Sequence, residues 1–176
     1  MSDFVRSPAD TFVLNINFTM EPHFYNVDIN WKAGRSGLMC SPELSSPEAS
    51  SGCIEVATPP EFHKGIPGIW SPEHLFTASV ASCFMTTFLA VAENSKLEFG
   101  YFTCHAKGRL ESVEGKMMMS EVQLYPEVSV FTENDRTKAQ KVLQKAENAC
   151  LISNSIKSKV MLASTIIVDT AVAAHE

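Results

Sequence analysis

Charge is scarce in this chain and basic charge scarcer still. Of 176 residues only 19% are charged, with 14 Lys+Arg against 20 Asp+Glu and a formal net charge of −6. No Lys/Arg cluster occurs anywhere in it. Phosphate neutralisation dominates nucleic-acid binding, so nucleic acid is not an expected partner. Gly and Pro are not enriched either, which argues against a disordered or fibrous chain. No apolar run approaches the ~20 residues that span a bilayer. The longest, Phe84–Ala92, is interrupted by Thr86 and Thr87. The start, Met1-Ser2-Asp3-Phe4, lacks the positive stretch and apolar core of a signal peptide. A cytoplasmic protein without membrane contact is expected.

Cysteine motifs are missing as well. The five cysteines, Cys40, Cys53, Cys83, Cys104 and Cys150, form no Cys-x-x-Cys pair and no zinc-finger spacing with histidine. No metal or other cofactor is called for. An odd number in a chain that reads as cytoplasmic argues against a disulfide framework. Isolated cysteines are usually small buried hydrophobes.

What is present is one domain's worth of alternating strand and helix patterns, without internal repeats. Residues 1–22 read as an N-terminal extension and 23–176 as a single domain. The apolar positions Phe24, Val27, Ile29 and Trp31 suggest a strand ending at Ala33-Gly34. Gly34-Arg35-Ser36-Gly37 is a turn with Arg35 at its tip. Leu38–Pro42 returns, Pro42–Gly52 is a Ser/Pro/Glu-rich loop, and Cys53–Ala57 alternates as a third strand. Ser71 as N-cap, Pro72 and Glu73 then open a helix predicted over Pro72–Asn94. Its middle carries no formal charge and is apolar or small on nearly every face. Such a helix is expected to be wrapped by other elements or packed on its own copy in a dimer.

Two long strands, Glu98–Glu111 and Lys116–Val130, follow around a Glu114-Gly115 turn, with Pro126 suggesting a bend or the end of pairing. Thr132 with Asp135 caps a second, amphipathic helix. Ala139, Val142, Leu143, Ala146, Ala149 and Cys150 fall on its apolar face. Lys159–Val168 is a last strand. The order β-β-β-α-β-β-α-β is an α+β fold, hairpin strands with a central buried helix and a second amphipathic one.

Four residues stand out: Arg35, Glu73, Cys83 and Cys150. The segment Trp70-Ser71-Pro72-Glu73-His74-Leu75-Phe76-Thr77-Ala78-Ser79-Val80-Ala81-Ser82-Cys83-Phe84 resembles the signature of the OsmC/Ohr family, with its Cys ten residues after the Pro-Glu. Ala146-Glu147-Asn148-Ala149-Cys150 resembles the context of the family's second cysteine. Gly34-Arg35-Ser36-Gly37 is similar to its arginine turn. Cys40, Cys53 and Cys104 have no counterpart and read as structural.

The resemblance implies an intertwined homodimer and a cofactor-free, thiol-dependent peroxidase that reduces organic hydroperoxides. Cys83 would be the peroxidatic thiol and Cys150 the resolving one, with a dithiol or small thiol as reductant. A free thiol of pKa about 8.5 is mostly protonated at neutral pH, so a site of this kind must stabilise the thiolate. Arg35 supplies a permanent cation for that, and Glu73 would orient the guanidinium.

Glu73 and Cys83, ten residues apart on one helix, are separated by about 15 Å along its axis. Two antiparallel copies of the helix would bring Glu73 of one chain to Cys83 of the other, giving composite sites. Phe76, Phe84, Met85, Phe88 and the Met117–Met119 run offer walls for an apolar pocket. Two other readings compete. One is a thiol redox sensor or small-molecule-binding dimer with little turnover. The other is a Cys–His hydrolase using His74 or His105, although no nucleophile-elbow motif surrounds Cys83.

Overall fold

The computed structural model describes residues 21–44 and 52–169. The proposed extension, apart from Glu21 and Pro22, lies outside them, as do residues 45–51 of the Ser/Pro/Glu-rich loop and 170–176. The chain forms two sheets of very different character, joined by the stretch that leads into the long helix.

The first sheet is antiparallel, in the order β1 (Asp28–Ala33), β2 (Ser36–Cys40), β3 (Cys53–Ala57). β1 begins later than the apolar spacing suggests: Phe24, Tyr25 and Val27 are exposed and unpaired by any strand. Gly34, at φ +53°, opens the two-residue turn between β1 and β2, a position that favours glycine. Among the strand residues of this sheet only Gly37 and Ala57 are buried.

The second sheet carries the body. β4 (Tyr101–Val113) and β5 (Lys116–Val130) form a long antiparallel hairpin. Glu114 at φ +51° and Gly115 at φ +77° make its tight turn, a backbone shape matched to strand twist. The last strand is two pieces, β6 (Lys159–Leu162) and β7 (Thr165–Val168), both parallel to β5. This corrects two expectations together. Pro126 does not end the pairing of β5 with β4; it is buried and pairs with Cys104. β6 covers residues 121–124 of β5 and β7 covers 127–130, so the proline sits opposite the interruption, where no ladder donor is required.

Both helices pack on one face of this sheet. Helix α1 (Pro72–Asn94) starts where Ser71 accepts a hydrogen bond from the His74 N–H, with Pro72 at its first position. Val80, Phe84, Phe88 and Val91 recur at helical spacing and enter the core with Val122, Leu124, Val128 and Val130 of β5. Phe88 stacks on Phe102 at 4.6 Å and meets Phe99 edge-on at 5.3 Å. Each buried phenylalanine is worth about 1.5–3 kcal/mol over exposure.

Helix α2 (Glu133–Ala149), capped by Thr132 accepting from the Asp135 N–H, adds Ala139, Val142, Leu143 and Ala146. Ala149, expected on that face, is exposed, because the helix ends there. The chain breaks at Cys150 and resumes as a short α3 (Leu151–Ser155). None of the strand residues of the first sheet belongs to the core.

α1 also revises the reading of its apolar run. It has 23 residues and a mean hydropathy of 1.8, long and apolar enough by composition to cross a membrane. Thr86 and Thr87 do not interrupt it, since both hydroxyls donate to the Cys83 carbonyl, at 3.0 and 2.8 Å. In the fold it is a core helix on one side only. Ser82, Met85, Thr86 and Leu89 form an open stripe on the other, with Met85 39% and Leu89 43% exposed.

Candidate active site

Cys83 sits midway along α1, held by the helix that its small-residue stretch allows to pack closely. Cys150 sits at the break between α2 and α3 and is fully buried. The amphipathic pattern of α2 drives its last turn against α1, and the break then turns the backbone N–H groups of α3 toward Cys83. The Ile152 N–H donates to Cys83 Sγ at 3.4 Å.

The two thiols are pushed in opposite directions. Burial works against ionisation of Cys83. It is outweighed by the Ile152 N–H bonded to the sulfur and by the neighbouring Cys150 thiol, Thr87 hydroxyl and Leu151 N–H, so its pKa lies below the ordinary thiol value. Burial raises Cys150; Ser153 opposes the rise, and the neighbouring Cys83 adds to it. The pair therefore titrates unequally, with Cys83 the sulfur that ionises first.

The other two sequence-derived candidates lie elsewhere in the chain. Glu73 is in the first turn of α1, about 15 Å along the axis from Cys83. Its Oε2 is buried with no hydrogen-bond partner. Arg35 is exposed on the β1–β2 turn and makes no ion pair or side-chain hydrogen bond among the described residues. Its carbonyl accepts from the Thr58 N–H, and Ala57 N–H donates to the Trp70 carbonyl. The arginine turn is thus tethered close to the segment that enters α1. One chain brings Cys83 to Cys150 but does not bring Arg35 or Glu73 to either.

Beside Glu73 opens a cavity of about 750 Å³ between the start of α1 and the β4–β5 hairpin. Phe62, Trp70, Leu110, Met117 and Met119 supply much of its apolar wall. The expected wall is corrected accordingly. Phe84 and Phe88 are fully buried in the core, Phe76 packs against that core, and Met85 lies on the open stripe of α1. Of the methionine run, Met117 and Met119 line the cavity, as alternation along a strand requires. Sequence reasoning missed Gly108, which also lines it. A Cβ there would lie 2.2 Å from Thr77 Oγ1, so only glycine lets β4 approach α1 this closely.

Neither His74 nor His105 serves Cys83 within the described residues. His105 stacks on Tyr125 at 6.0 Å on the outer face of the sheet, away from the helices. His74 pairs its Nδ1 with Ser71 Oγ at 2.8 Å, two and a half turns up α1 from Cys83. Cys104, half-buried on the inner face of β4, has its pKa raised by burial and packs against the core.

Cys40 and Cys53 overturn one expectation: they are joined as a disulfide, with Cα atoms 4.1 Å apart. The Ser41 N–H donates to the Gly52 carbonyl, so the next pair inward, Cys40 and Cys53, is a non-hydrogen-bonded pair whose side chains are closest. Counting cysteines could not reveal this, because the pairing comes from strand register. Among the described residues no group of three or more His, Cys, Asp or Glu is placed to hold a metal ion.

Comparison with known proteins agrees with the fold. The structure resembles an OsmC-like protein of unknown function from Vibrio cholerae, with TM-score 0.70 and 20% identity over 82% of this chain and 100% of that one. It resembles an organic hydroperoxide resistance protein from Elizabethkingia anophelis, with TM-score 0.65 and 23% identity over 85% and 99%. In sequence it is similar to the uncharacterised protein YmaD of Bacillus subtilis, 23% identical over 146 residues, covering 81% of this chain and 93% of that protein. The family model for OsmC-like protein matches residues 65–164, a stretch that contains Glu73, Cys83 and Cys150 together with both helices, and on that match the chain belongs to the OsmC-like family.

Proposed function

We propose that this protein is a cofactor-free, thiol-dependent peroxidase acting on organic hydroperoxides. The observation that carries the reading is the unequal thiol pair: Cys83 biased toward thiolate, with buried Cys150 beside it biased toward thiol. The names of structural neighbours, organic hydroperoxide resistance proteins from Elizabethkingia anophelis and Bacillus subtilis, point the same way.

In the proposed cycle the Cys83 thiolate attacks the terminal peroxide oxygen. The O–O bond breaks, an alcohol leaves after protonation, and Cys83 becomes a sulfenic acid. The Cys150 thiol condenses with it, releasing water and forming a Cys83–Cys150 disulfide. A dithiol then exchanges with that bond, returning two thiols and leaving as its own disulfide.

Arg35 and Glu73 enter through a second copy of the chain. The open stripe of α1 and the exposed apolar side chains of the first sheet, Trp31 at 76% among them, are surfaces a homodimer would cover. With two α1 helices antiparallel, Glu73 of the partner subunit approaches Cys83. Its unpartnered Oε2 then receives the guanidinium, which stabilises the thiolate and the leaving oxygen. The cavity beside Glu73 would hold the organic part of the peroxide. A cytoplasmic setting, rich in thiol reductants, suits such a cycle.

The test is consumption of cumene hydroperoxide with excess dihydrolipoamide. Wild type should turn over, Cys83→Ser should be inert, and Cys150→Ser should react once and then accumulate overoxidised Cys83. A wild-type protein whose Cys83 is oxidised only once, without turnover, would point to the redox-sensor reading instead.

A further inference from the structure

The first sheet has no core of its own, yet it carries Arg35. A small sheet with so little buried is marginal in water. Gly37 and Ala57 are the buried residues among its strands, and every residue of β1 is exposed. Noncovalent ties to the body run through the Val56–Trp70 bridge and the Ala57 N–H to Trp70 carbonyl bond.

Within the sheet, β2 is the central strand. At one end it begins with Ser36, directly after Arg35, and pairs with Ala57; at the other it ends at Cys40, bonded to Cys53. The disulfide therefore clamps the end of the β2–β3 ladder opposite the arginine turn. Both cysteines are only half-buried, and they sit at the open end of the β2–β3 ladder.

We infer that Cys40–Cys53 is a second, exchangeable thiol–disulfide couple, separate from Cys83 and Cys150, whose redox state sets how firmly the Arg35 turn is held. The inference deepens the peroxidase reading and rests on it for the use of Arg35. The chemistry is ordinary exchange. A dithiol thiolate attacks one sulfur of the bridge and forms a mixed disulfide. The second thiol of the reductant then closes on it, leaving Cys40 and Cys53 as thiols and the reductant as a cyclic disulfide.

With the bridge closed, the chain between the two cysteines, 13 apart in sequence, is a closed loop and strands β2 and β3 cannot separate fully. A crosslink over a loop of this length shifts an opening equilibrium by about a hundredfold. With it open, the sheet frays from the cysteine end toward Ser36, and the arginine loses its fixed position. The same dithiol that resets the peroxidatic pair would thus also slacken the cation that serves it, linking turnover to the supply of reductant and oxidant.

The experiment uses the whole protein and does not require peroxide, because diamide oxidation supplies the Cys83–Cys150 bond for comparison. Amide hydrogen exchange is followed with the bridge intact, after dihydrolipoamide, and in Cys40→Ser/Cys53→Ser, while differential alkylation and mass spectrometry report each cysteine. Exchange at residues 36–40 and 54–58 should quicken about a hundredfold in the last two states, with the amides of β5 unchanged. Three results would overturn the inference. The bridge could resist dithiol that reduces a Cys83–Cys150 bond. The first sheet could exchange equally fast with the bridge open or closed. The β5 amides could quicken together with the sheet, making the bridge a staple of the whole fold. A Cys83 that ignores hydroperoxide would sink the peroxidase reading while leaving these exchange rates as they are.

Discussion

The body of this molecule and its first sheet solve the problem of stability in opposite ways. The body packs α1 and α2 against β4–β7 around fully buried phenylalanine, valine and leucine side chains. Its reactive thiols meet inside one chain because two helices are already fixed there. The first sheet packs almost nothing, leaves Trp31 76% exposed, and holds together with ladder bonds and one disulfide. The lesson is a division of labour. Cys83 and Cys150, the neighbouring thiols of the proposed cycle, sit on elements that pack into the core. Arg35, which the proposed cycle would use through a second chain, sits on an arm whose apolar side chains are left exposed.

This contrast can be broken most severely at Cys83, where Cys83→Ser should bring hydroperoxide turnover to background with the thermal transition preserved. Phe88→Ala strikes the packing that fixes the same region and should cost about 3–5 kcal/mol of unfolding free energy, read by denaturant titration. Arg35→Ala should reverse that pattern. It should leave unfolding unchanged while lowering kcat/KM by ~10²–10³, the range for removing one group that stabilises developing negative charge. Trp31→Ala, an exposed residue of the arm, should move unfolding of the body by no more than about 0.5 kcal/mol. Its effect should appear instead as a dimer that dissociates at higher protein concentration in sedimentation experiments.

The thiols also differ in pH response. Cys83 is lowered, so its alkylation by iodoacetamide should titrate below the usual thiol value of about 8.5, and that of Cys150 above it. The ionised Cys83 contributes stability above the ordinary thiol pKa. That contribution, and peroxidase turnover with it, should fall away as pH drops through the lowered value.

The sequence made the body legible because its signals are local. Ser71, Pro72 and Glu73 mark the start of α1, and the Glu114-Gly115 turn fixes where β4 hands over to β5. The observed bounds of α1, β3 and β5 coincide with those expectations. What escaped was non-local. Pro126 is tolerated in a central strand only because two separate short strands leave it uncovered, and nothing near Pro126 announces that. The Cys40–Cys53 bond follows from β2–β3 register, which depends on the placement of the whole hairpin. The cavity beside Glu73 is lined by Phe62, Trp70 and Leu110, brought together by tertiary packing rather than by proximity in the chain. Of the proposed site, Cys83 and Cys150 could be marked from the sequence and lie together in the fold, whereas Arg35 and Glu73 would join them only through the proposed homodimer.

The most direct test of the account is a single turnover. Fully reduced protein is given one equivalent of cumene hydroperoxide, quenched with an alkylating agent and digested for disulfide mapping. A Cys83–Cys150 bond within one chain should be the first product, with Cys104 still a free thiol. A first oxidation at any other cysteine, with Cys83 recovered unmodified, would contradict it.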